Sequence, residues 1–146
     1  MRQVTKENAE YLKQLPLNVV TNELTLVHAS TLRPADWTYV LNLEYARECF
    51  GAMTTDLCFI GHTHVPIVIG EDNSINSFRK GIRSILNVGS VGQPRDNNPS
   101  ACFGFLDTEQ WKFEIKRVPY NIRITSQAIL DAGLPKFLAK RLLLGI

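Results

Sequence analysis

Long hydrophobic runs are missing from this chain of 146 residues, although 45% of them are hydrophobic. No stretch approaches the roughly 18 apolar residues needed to cross a bilayer, so the apolar content is read as core. The opening residues, Met1-Arg2-Gln3-Val4-Thr5-Lys6-Glu7, hold no apolar segment of the secretory kind, and secretion is not expected. Cysteine is scarce. Cys49, Cys58 and Cys102 are odd in number, contain no Cys-x-x-Cys pair and sit among aliphatic or aromatic neighbours. They read as buried, reduced thiols of a cytoplasmic protein rather than as a disulfide framework. An excess of one charge is also lacking: the formal net charge is +2, and no basic run exceeds two residues. Nothing argues for a nucleic-acid or membrane surface. Internal repeats, low-complexity tracts and linkers are absent as well, so residues 1–146 read as one unit, large enough to fold on a core alone.

What is present alternates between helical and extended patterns. Thr5 is placed to cap a helix running through Ala9, Leu12 and Leu15, with Pro16 beyond its end. Val19 to Thr21 and Leu24 to Val27 form a hairpin pattern around Asn22-Glu23, without the glycine that would make it strong. A polar and aromatic loop, Thr31 to Tyr39, leads into a helix from Leu41 to Phe50, with Gly51 expected beyond its end. Leu57 to Ile60 is a short apolar run typical of a buried strand. Strands are expected at Val65 to Ile69, Ile75 to Phe78 and Ile85 to Val88, and a final hairpin at Ala101 to Leu106 and Trp111 to Val118. The tail from Ile124 to Leu144 is helical, with a break at Gly133-Leu134-Pro135. The fold class is therefore α/β (α+β).

The sequence contains three histidines, His28, His62 and His64, each where an expected strand gives way to a loop. Such loops are where open α/β sheets bind ligands, and neutral imidazole is a good ligand for Zn, Fe, Mn or Ni. In an extended backbone a His-x-His pair puts both rings on one side and Thr63 on the other. A bare His-x-His is also common by chance.

The surrounding sequence is more specific. Val27-His28-Ala29-Ser30, then Phe59 to Pro66 with Gly61-His62-Thr63-His64 inside it, then Asn87-Val88-Gly89-Ser90-Val91-Gly92-Gln93-Pro94-Arg95-Asp96 resemble, in order and spacing, the later motifs of calcineurin-like metallophosphoesterases. The resemblance is strongest to the bacterial and archaeal predicted phosphoesterases, also called diadenosine-tetraphosphatase-like, and runs from the first helix to about Val118. It implies the carboxy-terminal half of a four-layer α/β/β/α sandwich, mostly one mixed sheet with flanking helices. It also implies a phosphate-ester substrate and two divalent metal ions (Mn, Fe, Zn or Ni). His28 and His62 would bind one ion and His64 the other, the pair neutralising charge on the phosphoryl oxygens. Asn87 and Ser90 would orient a metal-bound histidine, or serve only as turn formers. Arg95 would clamp a phosphate oxygen, or be a solvated loop arginine.

The family's Asp-x-His, Gly-Asp-x-x-Asp and Gly-Asn-His motifs do not precede His28, so no catalytic residue is assigned within this chain. Three readings stay open: a piece of a longer protein, the product of a split reading frame, or a chain completed by a partner, either a homo-oligomer or a complementing amino-terminal half. The expected function is hydrolysis of phosphate mono- or diesters with part of the site supplied here. The alternatives are a non-catalytic binding module of the same fold and a mononuclear three-histidine site. Ser30, Trp37 and Tyr39 are placed to shape a substrate pocket, the aromatic pair stacking on a base or aryl group, although loop packing is the commoner use of such residues.

Overall fold

The computed structural model describes residues 4–146. The first helix, α1, spans Lys6–Gln14, and the Thr5 side chain accepts from the Asn8 N–H as its cap. Strands β1 (Asn18–Val20) and β2 (Leu24–Val27) follow as an antiparallel pair. The turn between them works without glycine because Thr21 Oγ1 accepts from the N–H groups of Glu23 and Leu24. A short 3-10 turn, Pro34–Asp36, lies in the aromatic loop.

Helix α2 spans Leu43–Ala52, capped by Asn42, whose side chain accepts from the Tyr45 N–H. Gly51 therefore lies inside the helix rather than beyond it. The Arg83 guanidinium holds this end by donating to the carbonyls of Phe50 and Met53 at 2.8 and 2.9 Å, which suits a cation at a helix C-terminus. Strands β3 (Leu57–Ile60), β4 (Ile67–Gly70) and β5 (Ser84–Asn87) complete a five-stranded sheet of order β1-β2-β3-β5-β4. β2, β3 and β5 run parallel, and β1 and β4 run antiparallel to their neighbours. The expected strand at Ile75 to Phe78 is not formed. Only Ile75 bridges to Ile69, and Asn76, at φ 53°, turns the chain away from the ladder.

A separate two-stranded sheet, β6 (Ala101–Asp107) with β7 (Lys112–Val118), is the expected final hairpin. Its Phe113 ring meets Phe59 of β3 edge-on, centroids 6.0 Å apart. Helices α3 (Ile122–Asp131) and α4 (Lys136–Leu144) form an antiparallel pair around the buried Ser126 hydroxyl, which donates to the Ala139 carbonyl at 3.1 Å. Gly145, at φ 69°, ends α4 against Asn98. A β-carbon there would lie 2.7 Å from the Asn98 backbone.

The core sits between one face of the sheet and α2: Ala46, Cys49 and Phe50 pack with Cys58, Ile60, Ile69 and Ile85. Each of the buried isoleucines and Phe50 contributes about 1.5–3 kcal/mol. The other face carries the row Leu26, Phe59, Leu86 and Val68. It is covered toward β6–β7 and open at β2, where Leu26 is 45% exposed. The molecule is thus a mixed α/β fold, a mixed five-stranded sheet with flanking helices and a separate two-stranded sheet. Among the described residues no helix is long and apolar enough to cross a membrane.

Candidate metal centre

Because β2, β3 and β5 are parallel neighbours, their carboxyl ends meet at one edge of the sheet. Each ends in one of the sequence motifs. Val27 leads into His28, Ile60 into Gly61 to His64, and Asn87 into Val88 to Ser90. The Gly61 N–H donates to the His28 carbonyl at 3.0 Å and the Val88 N–H to the Ile60 carbonyl at 3.1 Å, so the ladder continues into the loops. All three histidines, with Ser90, border one open cavity of about 500 Å³.

The His-x-His segment is not extended. His62 and His64 both adopt φ 63°, a left-handed conformation that costs energy for a residue with a β-carbon and is concentrated at functional sites. Two irregular residues with one between them still bring both rings to the same cavity, and Thr63 turns inward and is buried. The His28 and His62 rings meet edge-on at 5.0 Å.

Hydrogen bonds settle which nitrogens are free. His62 Nε2 lies 2.8 Å from the Trp37 carbonyl and His64 Nδ1 lies 2.7 Å from the Gln93 carbonyl. A carbonyl oxygen only accepts, so those nitrogens carry the protons. In the neutral rings the lone pairs are then at His62 Nδ1 and His64 Nε2, the arrangement by which a backbone carbonyl fixes the tautomer of a metal-ligating imidazole. His64 is held below its ordinary pKa, mainly by burial, which outweighs the opposing bond to Gln93, with Arg95, His62 and Arg141 adding repulsion. His28 is also shifted down. Its ring is partly desolvated although the residue stays exposed, and its proximity to His62 and His64 adds to the effect. Both shifts favour the neutral, ligating form.

Asn87 is fully buried and touches neither ring in a hydrogen bond. Its amide donates to the Gly61 carbonyl at 2.8 Å and to Thr63 Oγ1 at 2.9 Å, and its carbonyl accepts from the Gly89 N–H at 3.0 Å. It braces the histidine loop against the glycine loop. Ser90 Oγ accepts from the Gln93 N–H at 3.0 Å, which shapes the loop whose Gln93 carbonyl meets His64. Arg95 donates through its backbone N–H to the His64 carbonyl at 3.1 Å, and its guanidinium is held by Gln93 Oε1 at 2.9 Å. Ser30 is buried with its hydroxyl 3.3 Å from the Tyr45 hydroxyl, so it packs the loop instead of lining a pocket. The Trp37 and Gln93 carbonyls carry no signal that sequence could expose, since every residue has one.

Residues 1–110 match the calcineurin-like phosphoesterase superfamily domain. The chain belongs to that superfamily. A metallophosphoesterase from Sphaerobacter thermophilus, known from a crystal structure, superposes with a TM-score of 0.91 at 36% identity, over 98% of this chain and 64% of its own. An uncharacterized protein of Methanocaldococcus jannaschii is 33% identical over 152 residues, 97% of this chain and 61% of that protein. A hypothetical protein from Pyrococcus horikoshii shares the fold, with a TM-score of 0.73 at 22% identity, over 93% of this chain and 53% of its own. The chain thus spans less than two thirds of the length of these relatives. The helices α3 and α4 lie beyond the matched family domain yet within the Sphaerobacter superposition.

Calcineurin-like phosphoesterases generally use divalent metals, and the donors present fit the nitrogen part of such a centre: neutral imidazoles at one cavity, two of them with one nitrogen tied to a carbonyl. They do not complete it. Among the described residues no three His, Cys, Asp or Glu side chains converge where an ion would sit, so the mononuclear three-histidine site is not formed. The His28 and His62 rings meet at 5.0 Å, while His64 is tied through Nδ1 to the Gln93 carbonyl.

Proposed function

We propose that this chain supplies the histidine-bearing part of a metal-dependent phosphoesterase that hydrolyses phosphate mono- or diesters. The observation that carries this reading is the convergence of His28, His62 and His64 on one cavity, with His62 and His64 offering opposite ring nitrogens. His28 and His62 Nδ1 would hold one divalent ion and His64 Nε2 a second (Mn, Fe, Zn or Ni), and the remaining donors, carboxylates among them, come from residues outside this chain. When bound, the ions supply charge neutralisation at phosphorus and an activated water. The chain's own contribution is to fix ligand orientation. Thr63 and Asn87 hold the histidine loop, and Ser90 holds the turn that presents the Gln93 carbonyl. Arg95, kept in place by Gln93 Oε1, is the cation available for a substrate phosphate oxygen. Three buried free thiols favour a reducing, cytoplasmic setting.

The test is metal analysis of the full-length protein together with hydrolysis of an aryl phosphate monoester, a diester and a dinucleoside polyphosphate in added Mn²⁺. The expected result is bound transition metal and hydrolysis that falls by at least about 100-fold in His62→Ala, the scale of a lost catalytic contact. No metal and no hydrolysis would refute it.

A second reading, a binding module of the same fold, is favoured by the apolar surface leading to the cavity. Leu17, Val19 and Leu26 are 52, 43 and 45% exposed. The occupant in that case is a complementing amino-terminal half or another copy of the chain. Light scattering decides it, since a well-behaved monomer with no partner counts against this reading.

A further inference from the structure

The loop between His28 and α2 has no role so far beyond one carbonyl. Its Tyr39 ring lies flat on the His62 imidazole, with centroids 4.1 Å apart and planes 13° from parallel. The Trp37 ring meets His62 at 5.8 Å and His28 at 5.2 Å, both at steep angles. The Trp37 backbone is left-handed at φ 54°, and its carbonyl receives the His62 Nε2 proton. His62 is therefore gripped on its face by Tyr39, on its edge by Trp37 and at one nitrogen by a carbonyl.

These contacts bear on what the two aromatics are for. They are 51 and 42% exposed, as a platform for a stacking substrate would be. One face of Tyr39 is nevertheless already taken by His62. The imidazole sits on a residue of unusual backbone conformation, where its own rotamer preferences do not determine the ring plane. A half-turn of that ring about Cβ–Cγ would put Cε1 where Nε2 sits and Cδ2 where Nδ1 sits, breaking the bond to the Trp37 carbonyl and releasing the tautomer. A flat stack restricts the ring plane, and the carbonyl then selects the tautomer.

We propose that the Trp37–Tyr39 loop is the positioning element for His62: the Tyr39 ring and the Trp37 carbonyl together hold the imidazole with Nε2 protonated and Nδ1 as its only donor nitrogen. Tyr39 is a positioning residue, not a stacking platform for substrate. The proposal rests on the reading of His62 as a metal-binding side chain only for its consequence in metal affinity, and the experiment separates the two.

The full chain, labelled with ¹⁵N-histidine, is compared as wild type, Tyr39→Phe and Tyr39→Leu by long-range ¹H–¹⁵N correlation with the imidazoles neutral. Wild type and Tyr39→Phe are expected to show His62 as the Nε2–H tautomer alone. In Tyr39→Leu the two His62 nitrogens average, while His64, held by Gln93, keeps its own pattern and reports an intact site. Titration of the same three proteins with Mn²⁺ should show an affinity loss of about tenfold or more for Tyr39→Leu and none for Tyr39→Phe. A Tyr39→Leu protein with the wild-type His62 pattern overturns the proposal. If leucine disturbs His64 as well, Tyr39→Trp, which restores a planar ring, decides: a pure Nε2–H pattern supports the proposal and an averaged one overturns it. If wild type takes up no Mn²⁺, the metal reading fails, and the tautomer comparison alone still decides the role of Tyr39.

Discussion

Replacing Asn87 with alanine removes three hydrogen bonds at a position with no solvent exposure. The losses are not equal. The Gly61 carbonyl keeps a bond from the Thr63 N–H at 2.7 Å, and the Thr63 hydroxyl keeps its bonds to Val65. The Gly89 N–H has no second partner among the described residues and is left buried and unpaired. An orphaned buried donor costs about 1–3 kcal/mol, and each of the other two bonds about 0.5–1.5 kcal/mol, so Asn87→Ala should destabilise by about 2–6 kcal/mol. That is a large share of the ~5–15 kcal/mol by which native domains are stable. Thr63→Val gives a second scale, because it removes one of the Asn87 bonds together with the two hydroxyl bonds to Val65 and should cost about 1.5–4.5 kcal/mol. Urea unfolding followed by circular dichroism measures both, with the m-value checked for constancy so that the midpoints report stability. A loss below about 1 kcal/mol in Asn87→Ala would refute the assignment of Asn87 as the brace between the two loops, since even the orphaned donor alone should exceed it.

Two further outcomes are expected. Gly89 has φ 76°, and a β-carbon on it would lie 2.7 Å from Cys102 Sγ, so Gly89→Ala combines about 1–2 kcal/mol of left-handed strain with crowding of the buried thiol. An unfolding midpoint equal to that of wild type would contradict this. Cys49, Cys58 and Cys102 are at most 1% exposed, and burial pushes the Cys58 thiol up to about 12, so none should react with a disulfide reagent in the folded chain at neutral pH and all three should react in urea. Rapid labelling of the folded protein would show that this part of the core opens.

The elements with a strong local signal were legible in the sequence. Thr5 caps a helix, Leu57 to Ile60 is a buried strand, and the break at Gly133 to Pro135 separates two helices. Where the reading missed, a tertiary contact decided the outcome. Arg83, just before β5, reaches across to hold the end of α2 beyond Gly51, and Asn76 adopts a left-handed turn where a strand was expected. The same division holds at the site. His28, His62, His64, Asn87, Ser90 and Arg95 were singled out from residue type and order, and the structure brings the three histidines and Ser90 to one cavity. Their working relations were not legible there, because the decisive partners are the carbonyls of Trp37 and Gln93, brought near by loops 25 and 29 residues away.

From residue order alone came the family resemblance and the three histidines, each at the end of an expected strand; the parallel pairing of β2, β3 and β5 that gathers them at one edge came from the structure. Motif chemistry and hydrophobic periodicity are local properties, and a single chain states them directly. Only the tertiary structure decided the conformation and use of each ring. The His-x-His pair is left-handed rather than extended, Asn87 joins two loops instead of hydrogen-bonding a histidine ring, and Tyr39 lies flat on the His62 ring. Those outcomes depend on distances between segments far apart in sequence, set by how the sheet and its loops pack, and no local pattern encodes them.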